Sequence, residues 1–309
     1  MKLEYKPCYT KEEKELITSV GPIGSGCYVE IPNNETKIRK HNFSDCPNLE
    51  SVELPDSIKI VDAKAFNNSR KLKEVKLSDS VEEIRKMAFE SCTSLEKINL
   101  PNNLKTIENS AFCWCASLKE ITIPGSVECI EEAVFEYCKK LKKINIGKGI
   151  KEIGSFAFSD CDDLELINMP NSVIKINREA FHGCRSLKEI ELSEKIEVIG
   201  QNAFYCCAIE KINIPSSIKY INTNAFNYCF NLKEIAIKSK CRICNDIFKS
   251  CSNLKKIYIT KKSFDISPDF VKEYGDKIEL INKTLDELLN EGKTFHEINK
   301  LMENDEIIL

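Results

Sequence analysis

Apolar residues recur along this chain in fixed rows. Phe43, Phe66, Phe89, Phe112, Phe135, Phe158, Phe181 and Phe204 are spaced by 23, and Phe226 and Phe248 follow at spacings of 22. Residues 104–126 show one unit. Leu104 and Ile107 are three apart, and Ala111, Phe112 and Cys115 follow at the spacing of one face of a short helical turn. Leu118 then precedes Ile121 and Ile123, which alternate with Glu120 and Thr122. That period of two predicts a short strand with one buried face. Pro124-Gly125-Ser126 ends the strand and turns the chain.

The same rows run through ten units. The inward strand pairs run from Val52/Leu54, Val75/Leu77 and Ile98/Leu100 to Ile235/Ile237 and Ile257/Ile259. One unit cannot bury these groups alone, since its neighbours lie only above and below. A fixed period of this length predicts a solenoid in which stacked units build one continuous core. Each buried aliphatic or aromatic side chain then stabilises it by roughly 1.5–3 kcal/mol. One unit lacks a residue between Cys207 and Ile209, and the last unit lacks one near Cys241–Phe248, so local bends are expected toward that end.

The unit resembles the leucine-rich repeat of the BspA-like, treponemal type. The pattern stands here as Leu95-x-x-Ile98-x-Leu100-Pro101-x-x-Leu104-x-x-Ile107-x-x-x-Ala111-Phe112-x-x-Cys115. The resemblance covers about residues 36–262. It implies an α/β solenoid: a right-handed superhelix of ten units, with a parallel sheet on the concave face and short helical turns on the convex side. It also implies binding of other proteins, often at a cell surface. Residues 1–35 read as an N-terminal cap with a helix near Lys11–Ile17, and residues 263–309 as a C-terminal cap or tail. In that tail, Thr284-x-x-Glu287 and Thr294-x-x-Glu297 are capping boxes for helices over 284–291 and 294–303.

Composition narrows the class. With 45 basic and 48 acidic residues well mixed along 309, nothing points to nucleic acid. No stretch is apolar enough for membrane insertion, and the charged start of the sequence does not read as a signal peptide. Nine of the 16 cysteines lie three residues after the ladder phenylalanine: Cys46, Cys92, Cys115, Cys138, Cys161, Cys184, Cys207, Cys229 and Cys251. Ser69 fills the tenth place. A row that accepts Cys or Ser asks for a small side chain that packs or donates weakly, which predicts reduced, buried thiols in a cytoplasmic chain. Disulfides between rungs are the alternative, tied to a cell-surface or secreted location.

Catalytic chemistry finds little support. His41, His182 and His296 are scattered, and His182 beside Cys184 is an ordinary surface neighbour of a buried thiol. Cys241-x-x-Cys244 has zinc-like or redox spacing but falls on the rows of Val127 and Ile130, so both read as core. Gly21-x-x-Gly24-x-Gly26 lacks the Gly-Lys-Ser/Thr ending of a phosphate loop. No catalytic, cofactor or metal site is assigned.

Binding is expected on the outward strand positions. The candidates are Lys97, Asn99, Glu120, Thr122, Lys143, Asn145, Leu166, Asn168, Glu189, Glu191, Lys211, Asn213, Ala236 and Tyr258. A sheet holds these side chains on one rigid surface, which lowers the ordering cost of binding an extended partner. Charges alternate from rung to rung, and such pairs also stabilise a sheet. Leu166, Ala236 and Tyr258 break the charge pattern and have the character of interface anchors. The leading reading is a monomeric, non-enzymatic scaffold for a protein partner. The other readings are a surface adhesin, a thiol or metal redox protein using Cys241 and Cys244, and a solenoid that assembles end to end.

Overall fold

A computed structural model describes residues 2–20, 27–238, 241–243, 246–259 and 272–280. The chain winds as a parallel-strand solenoid of about 11 turns with little helix. The long strands include Ser51–Glu53, Glu74–Lys76, Glu120–Ile123, Lys143–Ile146, Leu166–Asn168, Lys211–Ile214, Glu234–Ile237 and Lys256–Ile259. Neighbouring units pair in parallel and in register, as in Ile121↔Ile144 and Ile144↔Ile167. Ile121, Ile144, Ile167 and Ile235 point inward and are buried, as the period-two pattern requires.

A second row of strands was not anticipated. The stretch read only as two apolar residues three apart contains a two-residue strand in each unit, such as Glu83–Ile84, Glu152–Ile153 and Val198–Ile199. These also pair in parallel, Ile153↔Ile176 and Ile176↔Ile199. Two residues are too few to show a period of two, so only stacking reveals the strand.

The turns around the ladder phenylalanines are not helical. Residues two before and two after each phenylalanine have left-handed backbone, for example Lys64 and Asn68 around Phe66 and Ala133 and Tyr137 around Phe135. A right-handed helix cannot pass through such residues. Hydrogen bonding alternates instead. Phe66 N–H donates to Ala88 O of the next unit at 2.8 Å, while Ser69 N–H closes a turn onto Phe66 O at 3.2 Å. The left-handed residues also donate to the next unit, Asn68 N–H to Glu90 O at 2.8 Å, so their backbone cost is offset between units. Ala, Phe and Cys at helical spacing thus satisfied two geometries, and inter-unit bonding selected the turn.

The phenylalanines form one buried stack, with ring centroids 5.2–6.0 Å apart from Phe43 to Phe248. Tyr5 and Tyr9 cover its first ring and Tyr274 stands edge-on against its last. At the N-terminal side, helix Lys11–Leu16 begins at the capping box of Thr10 and Glu13. The C-terminal helices expected over 284–291 and 294–303 lie outside the described residues, as does the glycine stretch 21–26.

The Cys/Ser row has a definite job. Cys92, Cys115, Cys138, Cys161 and Cys184 each donate Sγ–H to the carbonyl of the ladder phenylalanine one unit back, at 3.2–3.3 Å. Ser69 Oγ donates in the same way to Phe43 O at 2.7 Å. The carbonyls of Phe66, Phe89, Phe112 and Phe135 already accept a turn N–H, and the thiol occupies the second lone pair. The described cysteines are free thiols. Cys138→Ser is therefore expected to retain more stability than Cys138→Ala, by about 1 kcal/mol. Denaturant midpoints at constant m measure the difference. A more stable alanine variant would mean that the thiol merely fills space.

Candidate functional site

Each long strand presents alternate side chains to solvent because its other face is held by the Ile/Leu core. Lys97, Asn99, Glu120, Thr122, Lys143, Leu166, Asn168, Glu189, Glu191, Lys211 and Asn213 are exposed on this face, and Asn145, Ala236 and Tyr258 are half-exposed. Pairing aligns Glu120, Lys143 and Leu166 in one row and Thr122, Asn145 and Asn168 in the next. Further along, Lys211, Glu234 and Lys256 share a row, as do Asn213, Ala236 and Tyr258.

Several of these groups are already engaged with each other. Asn145 Nδ2 donates to Thr122 Oγ1 at 3.2 Å, and Lys211 meets Glu234 at 2.9 Å. Lys256 sits 5.7 Å from the centre of the Tyr258 ring. A flanking row carries ion pairs between units, such as Lys73–Glu50, Lys119–Glu96 and Lys233–Glu210. The lysines hold these glutamates below the usual carboxylate range, chiefly by hydrogen bonding. Such exposed pairs stabilise little individually. Leu166 stands out, 53% exposed between charged and polar rows.

The long-strand ladder is interrupted twice, and both interruptions open onto this face. Between Leu166–Asn168 and Lys211–Ile214, residues 189–191 form no strand pair. A groove of about 660 Å³ lies there, lined by Met169, Pro170, Asn171, Glu189, Glu191, Glu194, Lys211 and Asn213 among others. The residue missing between Cys207 and Ile209 shortens the path into the next strand, while the turn ladder beside it stays intact through Gly183 N–H to Tyr205 O. The deletion thus falls where strand alignment, not turn stacking, is disturbed. A smaller opening of about 240 Å³ separates Lys97–Ile98 from Glu120–Ile123. Glu189, Glu191, Lys211 and Asn213 of the sequence candidates converge on the first opening, and Lys97, Asn99, Glu120 and Thr122 on the second. Ala236 and Tyr258 line neither. Met169 was missed because alternation places it with Ile167 on the inward face, and Pro170, Asn171 and Glu194 because they lie after the strand, where alternation gives no signal; the shortened unit beside them was the available clue.

The reactive-group candidates stay apart. Cys184 Sγ donates to Phe158 O at 3.3 Å while His182 stacks on Tyr205, so they form no dyad. Cys241 is buried, as expected for a core position. Cys244 and His296 lie outside the described residues. The pairing Ile221↔Ile243 puts Ile243, not Cys244, in the row of Ile130. The residue missing from this unit shifts the alignment by one. No group of three or more His, Cys, Asp or Glu side chains is gathered for a metal ion among the described residues. No described helix is long and apolar enough to cross a membrane.

A model of the BspA type leucine rich repeat region matches six copies, over residues 36–165 and 151–273. Among solved structures, a leucine-rich repeat protein from Bacteroides ovatus is similar, with 26% identity and a TM-score of 0.69. That match covers 81% of this chain and 70% of the other. The T. pallidum leucine rich repeat protein has 29% identity and a TM-score of 0.48, covering 56% and 78% of the two chains. A protein of Faecalibacterium prausnitzii described as a leucine rich cell surface protein has 22% identity and a TM-score of 0.39, covering 82% and 89%. No match was found among curated proteins.

Proposed function

Since the chain belongs to the BspA-type leucine-rich repeat family, we propose that it is a non-enzymatic scaffold that binds a protein partner on its long-strand face, the concave side of such a solenoid. The groove at residues 169–171, 189–194 and 211–213 carries this reading. It joins exposed acidic groups, Glu189, Glu191 and Glu194, to Lys211 and Asn213 on a rigid frame, with the Leu166 side chain exposed on the neighbouring strand. An apolar anchor beside polar groups of both signs is the usual make-up of an interface centre and its rim. Prepaid rigidity favours an extended or convex partner surface. Free thiols favour the cytoplasm, and the binding role is the same at a cell surface.

Capture from extracts of the source cells tests the reading. The intact protein is compared with Leu166→Glu/Glu191→Lys/Asn213→Trp, all three at exposed positions. Retention of a specific partner is expected to fall at least about tenfold, equivalent to about 1.4 kcal/mol, with an unchanged melting temperature. Equal capture by both would move the site off this face.

A further inference from the structure

The turn edge of the solenoid carries a feature the long-strand face lacks. Exposed and half-exposed aromatic rings stack there along the axis, on the side chains that follow the buried phenylalanines. Trp114 lies 4.2 Å from Tyr137, ring centre to ring centre and nearly parallel. Two units on, His182 stacks on Tyr205 at 5.0 Å, Tyr205 meets Tyr228 at 5.0 Å, and Tyr228 meets Phe230 edge-on at 5.9 Å. Trp114 is 42% exposed and Phe230 49%. The ladder phenylalanines are buried in their stack, whereas these rings are exposed or half-exposed; in the unit between them, half-buried Phe156 already carries the Arg178 guanidinium 5.6 Å over its ring.

The two aromatic groups are separated by a single unit, and that unit is acidic. Asp160 stands between Tyr137 and His182. Its neighbours are the Ser159 hydroxyl at 3.0 Å and His182 Nδ1 at 3.8 Å. Position 183 is glycine with φ of +72°, and a Cβ there would lie 2.7 Å from Asp160 Oδ1. The glycine leaves the carboxylate uncovered from that side. Among the described residues, the Glu136 carboxyl, next to Tyr137, has only the weak Cys113 thiol as donor, at 3.8 Å. Burial pushes its carboxyl above the usual range, and the charges of Asp160, Glu132 and Glu179 push the same way. Glu179 itself is occupied by Arg178 at 2.9 Å. Several carboxylates elsewhere on the solenoid meet lysines of the adjoining unit, such as Glu50, Glu96 and Glu210; Asp160 and Glu136 instead lie in each other's field beside the two aromatic walls.

We propose that this edge, from Trp114 to Phe230 with Asp160 and Glu136 at its centre, is a second docking surface, for an arginine- or lysine-bearing segment of a protein. The walls are two units apart, about 10 Å at the usual strand spacing. A guanidinium or ammonium group between them would lie against ring faces and within reach of the carboxylates. Cation–π attraction and charge-assisted hydrogen bonding act together in such a place. Flanking rings on both sides extend the contact along the axis, which suits an extended segment. The partner's charge is set by complementarity: among the described residues no lysine or arginine pairs with Asp160 or Glu136, whose neighbours are the Ser159 hydroxyl, the His182 ring and the Cys113 thiol. The surface is separate from the groove on the long strands and does not depend on it.

Trp114 is the sole tryptophan in the chain, so its emission reports on this edge directly. The intact protein is titrated with a short peptide of alternating arginine and glycine, and with the same peptide carrying glutamine for arginine. Saturable change in tryptophan emission is expected with the first and not the second. Asp160→Asn and Tyr137→Ala are each expected to weaken it at least about fivefold. Glu128→Gln, an exposed charge outside the edge, and Leu166→Glu on the long-strand face are expected to leave it unchanged. Melting curves establish that each variant is folded. Equal response to both peptides, equal loss in Glu128→Gln and Asp160→Asn, or a response to a neutral oligosaccharide in place of the arginine peptide would overturn the proposal.

Discussion

Phe135→Ala is expected to cost about 3–5 kcal/mol, the range for deleting a fully buried aromatic side chain. Phe135 has no exposed surface and lies 5.4 Å from Phe112 and 5.5 Å from Phe158. The neighbouring backbones are tied by Ala133 N–H to Ser155 O and Phe135 N–H to Ala157 O, both at 2.9 Å, so the coils cannot collapse into the space. Because each unit touches only its neighbours, the cavity also weakens the single interface that couples the two halves of the stack. Denaturant unfolding followed by tyrosine and tryptophan signals should show a lower midpoint and loss of a single cooperative transition. Phe135→Leu, which refills most of the volume, should cost clearly less. If both variants fall within about 1 kcal/mol of the wild type, the stack is not what couples the units.

Alkaline pH is expected to unfold the protein at a value that most proteins tolerate. Burial pushes the thiol of Cys46 up to about 12 and that of Cys251 up to about 11. Cys92, Cys115, Cys138, Cys161, Cys184 and Cys229 are pushed up further by the same cause. In the unfolded chain these thiols ionise at ordinary values, near 8.5. A folded-state value above the unfolded one means that the folded chain keeps protons the unfolded chain releases. The stabilisation is complete below the unfolded value and is lost as pH rises through the folded one. Each thiol held this way contributes about 1.4 kcal/mol of loss per pH unit above roughly pH 9. Tyr5, pushed up to about 12 by burial, acts in the same direction at higher pH. Denaturant midpoints from pH 7.5 to 10.5, in reductant, should fall steeply. Cys138→Ser/Cys161→Ser should make the slope shallower by about two protons. A flat profile to pH 10.5 would mean that the thiol row is hydrated.

Much of the solenoid is legible in one dimension because its contacts lie one period apart. Phe112, Cys115, Leu118, Ile121 and Ile123 each meet the same residue type one unit away, so the row that fills the core is also the row that recurs. The thiol row shows the limit of that reading. Its Cys/Ser tolerance pointed to a small, weakly donating side chain, but the acceptor, a phenylalanine carbonyl one unit back, became visible only when the units were stacked. The turn at residues 131–138 carries Val134, Phe135 and Cys138 at a spacing that helices also use. What excludes the helix is the left-handed backbone at Ala133 and Tyr137, held by bonds to the next unit.

For the candidate sites the division is similar. Alternation along the strands was enough to place Leu166, Asn168, Lys211 and Asn213 on the outward face, since one buried face dictates the other. It could not find the groove at residues 169–171 and 189–194, which arises where neighbouring strands fail to pair. Nor could it find the edge joining Trp114, Tyr137, Asp160 and His182, residues from four different units at positions that vary in type. The sequence by itself determined the period, the core rows, the inward and outward strand faces and the family, because these rest on local alternation and repetition. The tertiary structure decided the second strand row, the left-handed turns, the tyrosine ends of the phenylalanine stack, the groove and the aromatic edge. Each of those depends on hydrogen bonds and contacts between units, whose partners are set by how the units stack.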